Sequence, residues 1–171
     1  MSKVYQIIEY ENEDLKIAEL KIARNEKYSP VVFHNEKPIH EVFDEIIPGE
    51  IFVSKTIKIT DTSENEIEIA ISASNLGRVK NSDGIIRKKI DNEKSTGDWL
   101  YIEIENNNKL HKIWVYKIIA NIWCIKPKHE DNGQGIIWDI HHISNNGFDN
   151  RPSNLIWLTR IEHKVIHPWM K

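Results

Sequence analysis

The sequence predicts an α+β protein. Residues 56–60 and 66–72 alternate apolar and polar side chains, as half-buried strands do. A third alternating run covers residues 99–104, and the asparagines at 106–108 are typical of a hairpin turn before a return strand over 110–115. Apolar residues at positions 118, 119, 122 and 123 then have helical spacing. This order of strands followed by a helix indicates separate β and α parts.

The first sixty residues contain short β-rich runs. These runs cover residues 4–8, 15–22 and 51–53, and they are separated by Pro30, Pro38 and the Pro48-Gly49 pair. Residues 40–47 are predicted to form a short helix. His34 and His40 are interpreted as surface or packing residues, because no catalytic cluster surrounds them in the sequence.

The charge of the chain is unevenly distributed. The formal net charge is −3, but residues 1–70 hold 8 Lys/Arg and 15 Asp/Glu (−7), and residues 71–171 hold 15 Lys/Arg and 11 Asp/Glu (+4). Such asymmetry is a hint of a nucleic-acid surface in the second part. The acidic first part is a poor phosphate binder, so we expect it to contact a protein partner or a second copy of the chain.

The chain lacks the marks of a secreted or membrane protein. No apolar run approaches the roughly 20 residues that span a bilayer, and the N-terminus has no signal-peptide pattern. The single cysteine, Cys124, excludes an internal disulfide and a cysteine-based zinc finger. A cytoplasmic location is therefore expected.

The C-terminal segment contains a spaced set of histidines. His141 and His142 are followed by Asn154, His163 and His167, in the pattern H-H-x11-N-x8-H-x3-H. Imidazole can ligate a metal or act as a base near neutral pH. His163 and His167 are four residues apart, so on a helix both rings lie on one face. Adjacent strand residues point to opposite faces, so His141 and His142 cannot perform the same task.

This segment resembles the HNH nuclease family, whose fold is a two-stranded hairpin and a helix closed around one metal ion. Residues 140–147 resemble the family's first strand and loop, residues 150–159 its central asparagine and second strand, and residues 160–163 the start of its helix. The resemblance implies a C-terminal ββα-metal unit after a β-rich N-terminal part.

The resemblance also implies a role for each residue of the pattern. His142 aligns with the general base, and Asn154 with the asparagine that orients the base and pins the loop. His141 and His163 align with metal ligands, and His167 with the extra ligand of colicin-type members. Three imidazoles suit zinc or nickel better than magnesium, and they leave a coordination position open for water or phosphate. One divalent ion is expected, with Zn, Mg, Mn and Ni all open.

A second resemblance covers residues 72–125. The sequence SNLGRVK, a β-hairpin and then VYKIIANIW are similar to the small DNA-binding module that precedes the HNH unit in many phage and homing-type endonucleases. The division predicted is residues 1–70 as an acidic module, 71–128 as the DNA-binding module and 129–171 as the nuclease unit. Nucleic-acid contacts are predicted for Arg78, Lys80, Lys117, Arg151 and Arg160.

The aromatic residues of the nuclease unit have two interpretations. Trp138, Trp157 and Trp169 can stack on bases, but in a unit of about forty residues core packing is the more pressing need. Cys124 is expected to pack against the same region.

The predicted function is metal-dependent hydrolysis of DNA phosphodiester bonds, with double-stranded DNA as the expected substrate. Two alternatives stay open. One is a non-specific toxin-type nuclease, which the three-histidine set favours, and the other is a DNA-binding protein that keeps the HNH fold without activity. Homing, restriction and phage settings are all compatible with the sequence.

Overall fold

The structure is a computed structural model that describes residues 16–21, 33–43, 45–86, 89–91, 99–128 and 135–168. The strands are β1 (Phe33–His34), β2 (Lys37–Pro38), β3 (Phe52–Thr60), β4 (Glu66–Ser74), β5 (Val79–Asn81), β6 (Gly84–Ile85), β7 (Lys89–Asp91), β8 (Trp99–Asn106), β9 (Lys109–Trp114), β10 (Trp138–His142) and β11 (Leu155–Thr159). The described part of the first helix, α1, covers residues 16–21, and α2 (Val115–Trp123) and α3 (Arg160–Ile166) follow. Strands and helices together confirm the predicted α+β class.

The strands pair in antiparallel order with their neighbours along the chain. In the described residues, β1 pairs with β2, β3–β4–β5–β6 form one sheet, β7–β8–β9 a second, and β10–β11 a hairpin. The turn between β8 and β9 contains Asn107 and Asn108 at positive φ angles of 51° and 59°, as expected of a two-residue hairpin turn that matches strand twist. The predicted hairpin over residues 99–115 is confirmed.

Helix α2 lies at the centre of the main core. Its buried side chains include Ile118, Ile119 and Ile122, which share one core cluster with the inward residues of β3, β4, β8, β9 and β11. Trp123 is buried in the same cluster, and its indole Nε1 donates a 2.9 Å hydrogen bond to the carbonyl of Ala73. The predicted helical stripe over residues 116–124 is therefore confirmed as the helix that joins both larger sheets to the C-terminal hairpin.

The β10–β11 hairpin is covered on both faces. Leu155 and Trp157 of β11 face α2 in the main core, whereas Ile156 and Leu158 belong to a second cluster with Ile166 of α3. The second cluster also includes Leu20 of α1 and, partly buried, Ile17. The prediction of a strand over residues 15–22 is wrong for its described part, because residues 16–21 are helical. Ile17 and Leu20 are three residues apart, so they lie on one face of this helix.

Arg78 explains why residues 40–47 do not form the predicted helix. Only Ile39–Glu41 form a 3₁₀ turn, and Val42 is already extended. The Arg78 guanidinium donates to the carbonyls of Val42 (3.2 Å) and Glu45 (3.0 Å). These carbonyls bind a side chain rather than the backbone N–H groups of a helix, so the segment is irregular where it is described.

One boundary of the predicted division of the chain lies within a strand. The boundary at residue 70 falls within β4, which pairs with β3 along its whole length. The predicted β-rich run over residues 4–8 lies outside the described residues, as does Trp169. In the described part of the chain, no helix is long and apolar enough to cross a membrane.

Asp61 stabilises the turn between β3 and β4. It is buried, its carboxylate accepts from the backbone N–H groups of Ser63 and Asn65 (2.9 Å each), and its Oδ2 is 2.7 Å from Nδ1 of His111. The hydrogen bond from His111, followed by that from the Asn65 side chain, holds the pKa of Asp61 well below its usual range. The folded state therefore favours the ionised carboxylate.

The first prediction follows from this lowered pKa. The stabilisation from Asp61 is present above the unfolded-state pKa, about 3.9, and is lost as pH falls towards the folded-state value. Asp61→Asn should lower the free energy of unfolding at pH 7, and the difference from wild type should narrow below about pH 4. Urea unfolding measured across this pH range tests the prediction. Asp83→Asn, in an exposed turn, is the control and should show no such narrowing.

Gly77 is the residue through which the turn before β5 touches the C-terminal loop. Its φ angle is +80°, and a Cβ at this position would lie 2.9 Å from the backbone carbon of Asn150 and 3.0 Å from its carbonyl oxygen. No side chain fits there without movement of backbone. The close approach ties residues 74–78 to residues 150–151.

The second prediction compares two glycines with nearly the same φ angle. Gly49 has φ +79° and nothing within 4 Å of the position of its missing Cβ. Gly49→Ala should cost only the left-handed backbone strain, about 1–2 kcal/mol, whereas Gly77→Ala should cost distinctly more. Chemical unfolding of both variants measures the difference, and equal losses would show that the contact with Asn150 contributes nothing.

Candidate metal centre

A capping box positions the helix that carries His163 and His167. The Thr159 hydroxyl accepts from the Glu162 backbone N–H (3.2 Å), and the Glu162 carboxylate accepts from the Thr159 N–H (2.6 Å). The reciprocal bonds satisfy two donors that a helix N-terminus otherwise leaves open. Helix α3 therefore begins directly after β11, and His167 follows its last residue, with its N–H bonded to the His163 carbonyl at 2.9 Å.

His141, His163 and His167 form a cluster of imidazoles. Their nearest ring nitrogens all lie within 4.8 Å of one another, and His141 and His167 are buried. His141 Nδ1 and His167 Nε2 are 3.1 Å apart. Two nitrogens bound to one tetrahedral zinc ion at about 2.0–2.1 Å would be separated by about 3.3 Å. The donor set and its spacing therefore fit a single metal ion.

Asp139 controls which nitrogen His163 presents to this cluster. The Asp139 Oδ2 atom lies 3.1 Å from His163 Nδ1, so Nδ1 is the protonated, donating nitrogen. The lone pair of His163 is then on Nε2, the atom available to a metal. A carboxylate behind a histidine ligand is the usual device that fixes the ring orientation and tautomer.

His142 lies on the opposite face of β10 from His141. Its Nε2 is 2.8 Å from Oδ1 of Asn150, and because a carbonyl oxygen only accepts, Nε2 carries the proton and Nδ1 the lone pair. Burial lowers the pKa of His142, opposed by the Asn150 hydrogen bond and the charge of Asp149. The ring is thus neutral at neutral pH, the state that a base requires.

Tyr116 packs against His142 and is itself a neutral phenol at neutral pH. The two ring centroids are 5.2 Å apart in an edge contact. Burial, followed by the charge of Asp139, raises the pKa of Tyr116 to about 12. The phenol therefore keeps its proton at neutral pH.

Asn154 pins the loop between the two strands. Its Oδ1 accepts from the Ser144 backbone N–H at 3.0 Å, and its Nδ2 donates to the Asp149 carbonyl at 2.9 Å. The structure thus places Asn154 on the loop backbone, while the direct hydrogen-bond partner of His142 is Asn150. Sequence reasoning missed Asn150 and Asp139. In the sequence, Asn150 is marked only by its short spacing from Asn154, and Asp139 only by its position two residues before His141. Neither spacing is specific enough to indicate a functional residue.

The structure places the five predicted nucleic-acid residues in different settings. Arg78 is 2% exposed, and its Nε donates to Glu50 Oε1 at 2.8 Å. The charge of Arg78 is therefore used inside the fold, and its contact with nucleic acid has no support from this position. Lys80 of β5 holds its Nζ 4.1 Å from the centroid of the Phe52 ring. Arg151 is bound by Asp149 through two hydrogen bonds of 2.8 and 2.7 Å.

Lys117 and Arg160 lie at the site. Both line a cleft of about 500 Å³, called the site cleft below. His142 and His163 line the same cleft. Arg160 is 43% exposed and pairs with Asp139 through contacts of 2.6 and 2.7 Å. Burial lowers the pKa of Lys117, opposed by the charges of Asp61 and Glu64.

The two described tryptophans of the hairpin are both packed. Trp157 is buried in the main core, and Trp138 packs against it at the edge of the site cleft. Cys124 contacts the carbonyls of Leu155 (3.7 Å) and Pro152 (3.8 Å). Core packing, the favoured interpretation, describes Cys124 and the buried Trp157, while Trp138 is half-buried, and both tryptophans also line the site cleft.

Comparisons with known proteins return little. No protein-family model matches the sequence, and no curated protein matches it. Among solved structures, the chain is similar to the HNH homing endonuclease I-HmuI, described for its DNA binding and cleavage, with 18% identity and a TM-score of 0.44. The similarity covers 67% of this chain and 61% of that protein, so the chain spans less than two thirds of its length. Because this TM-score is below 0.5, the similarity supports no functional argument, and any functional proposal has to rest on the side-chain geometry of the site.

Proposed function

We propose that this chain is a metal-dependent endonuclease that hydrolyses phosphodiester bonds of DNA. The observation that carries the proposal is that two adjacent histidines lie in different surroundings. His141 joins His163 and His167 in a cluster fit for one metal ion, while His142 is a buried neutral ring held by Asn150. The C-terminal sequence that resembles the HNH family supports the same assignment.

Each residue contributes one part of the chemistry. A bound divalent ion would supply the positive charge that neutralises the phosphate and stabilises the leaving oxygen. His141 Nδ1, His163 Nε2 and His167 Nε2 would hold that ion. His142 Nδ1 would take a proton from the attacking water, while Asn150 keeps Nε2–H in place and Asp139 keeps the His163 ring in register.

The three-imidazole donor set favours zinc or nickel over magnesium, which prefers oxygen ligands. Plasmid incubated with protein loaded with Zn or Ni should give nicked, linear or degraded products, and EDTA should abolish these products. Protein loaded with Mn or Mg is tested beside them and should give less product. Cleavage at any sequence would favour the toxin-type alternative. DNA binding without cleavage under all four metals would favour an inactive DNA-binding protein and overturn the proposal.

The third prediction separates base from ligands. His142→Ala should lower single-turnover cleavage by about 10²–10⁴-fold with metal affinity near wild type, because His142 is not one of the three clustered donors. His141→Ala, His163→Ala and His167→Ala should each weaken metal affinity, since each removes one of three donors. Metal titration beside cleavage measures both effects for all four variants.

Two outcomes would revise this assignment. If His142→Ala loses metal while His141→Ala keeps it, the roles of the adjacent pair are reversed. If His167→Ala retains full affinity and rate, the ion is held by fewer histidines than the cluster offers.

The fourth prediction concerns Asn150 as a positioning residue. Asn150→Ala removes the acceptor at His142 Nε2 and should slow cleavage by about 10–100-fold, the usual scale for such supporting hydrogen bonds, with metal affinity unchanged. Asn150→Asp keeps an acceptor oxygen at this position and should restore most of the rate. Equal losses in both variants, or loss of metal in Asn150→Ala, would contradict a positioning role.

A further inference from the structure

The site cleft is built by parts of the chain that lie far outside the C-terminal hairpin. Lys58 and Thr60 of β3 line it from one side, and Trp99 at the start of β8 and Tyr116 at the start of α2 line it from another. The hairpin closes it with Trp138 and His142, and α3 adds His163. A volume of about 500 Å³ is within the range, about 300–1,000 Å³, of pockets that hold small organic molecules.

Aromatic rings lead through this cleft to His142. Trp99 is half-buried, with its ring centroid 5.9 Å from that of Tyr116 in an edge contact, and Tyr116 in turn touches His142. Trp114 packs edge-on to Trp99 at 5.4 Å and supports it from outside the cleft. Rings held in this way present rigid apolar surface on which a nucleobase of any kind can stack.

Two lysines supply positive charge to the same cleft. Lys58 is exposed, and Lys117 is half-buried with its pKa lowered by burial. Among the described residues, no ion pair joins either ammonium to a carboxylate, although the charges of Asp61 and Glu64 act on Lys117 and Glu66 also lines the cleft. Asp139, the other carboxylate at the cleft, is bound by Arg160 and His163. Unpaired ammonium groups beside an aromatic wall match a nucleotide, which offers a phosphate next to a ring.

Bases inside an intact duplex do not offer their faces to a protein wall. A base must leave the stack to reach an aromatic pocket, and this costs least at positions already unpaired. A cleft of this size next to the candidate base therefore favours a nucleotide that is out of the stack, rather than a nucleotide within regular double helix.

We propose that the site cleft binds one unstacked nucleotide next to the scissile phosphate, with its base on the Trp99 side of the aromatic wall and its backbone on Lys58 and Lys117. The preferred substrate is then DNA that is single-stranded or locally unpaired at the cleavage point. This inference rests on the proposed nuclease function for its site, and it assigns nucleic-acid contact to Lys58, a residue of the acidic first part of the chain.

Binding without catalysis tests the inference. The metal-free protein in EDTA is titrated with three labelled DNA molecules: a single strand, the same strand in a perfect duplex, and that duplex with an unpaired bulge. Fluorescence anisotropy should show at least about tenfold tighter binding of the single strand and of the bulged duplex than of the perfect duplex. The tenfold difference corresponds to loss of about one base-stacking contact.

Matched variants assign this preference to the cleft. Trp99→Ala should weaken single-strand binding by about 5- to 150-fold, the scale of one stacked base, and Trp99→Phe should retain most of it. Tyr101→Ala is the control, since Tyr101 shares the outer face of β8 with Trp99 but does not line the cleft. Thermal unfolding of each variant checks that it folds, and Trp99→Phe keeps the test valid if Trp99→Ala does not.

Salt dependence assigns the phosphate contact. Lys58→Ala should reduce the slope of log affinity against log salt by about 0.7 for a single strand. Lys55→Ala, an exposed lysine three residues earlier on the other face of β3, should leave the slope unchanged. Equal effects of the two substitutions would remove Lys58 from the proposed contact.

The results distinguish this inference from the nuclease proposal. If the perfect duplex binds as tightly as the single strand, or Trp99→Ala matters no more than Tyr101→Ala, the inference is wrong even where the metal-loaded protein cuts plasmid. If the single strand is preferred and Trp99 is required, the cleft assignment stands, and the plasmid assay alone then decides whether cleavage follows.

Discussion

Adjacent residues of β10 point to opposite faces of the β10–β11 hairpin, and both of those faces are packed. One face meets α2 through Leu155 and Trp157, and the other meets α3 through Ile156 and Leu158. A shift of the pairing by one residue would exchange the two apolar sets and turn each side chain to the wrong face. The register His141↔Ile156 and His142↔Leu155 is therefore enforced by apolar burial. The separation of the three-histidine cluster from the neighbouring His142 depends on that register.

Hydrogen bonds and a close backbone contact fix the loop that joins β10 and β11. Asn154 bridges Ser144 and Asp149 across it, and the turn at Gly77 presses against the backbone of Asn150 from outside. Asn150 in turn holds His142 at 2.8 Å. The base proposed at His142 would need a fixed ring and a fixed tautomer, and the residue that holds this ring is contacted from a segment more than seventy residues away. The C-terminal hairpin and the sheet that precedes it are therefore in direct backbone contact at this loop.

The net charge of −3 gives little indication of the field at the site. Several acidic residues are engaged inside the fold: Glu50 with Arg78, Asp61 with His111, Asp149 with Arg151, and Asp139 with Arg160 and His163. Lys58 and Lys117, by contrast, face the site cleft. Local arrangement, not the sum of charges, decides where an anion is attracted. The acidic first part of the chain thus contributes a cation to the cleft through β3.

The features that depend on short-range spacing can be predicted from the sequence. Alternation over residues 56–60, 66–72 and 99–104 predicts strands, and the apolar stripe at 118–123 predicts α2, because periodicity is a local property of the chain. The i, i+4 pair of His163 and His167 likewise predicts two rings on one face, and the structure brings both to His141. The remaining features depend on contacts between residues that are distant in the chain. The burial of Arg78, the hold of Asn150 on His142 and of Asp139 on His163, and the arrival of Lys58 at the cleft all join residues from separate elements. Such contacts follow from strand register and from the packing of α2 between the sheets. Neither the register nor the packing can be read from the spacing of neighbouring residues.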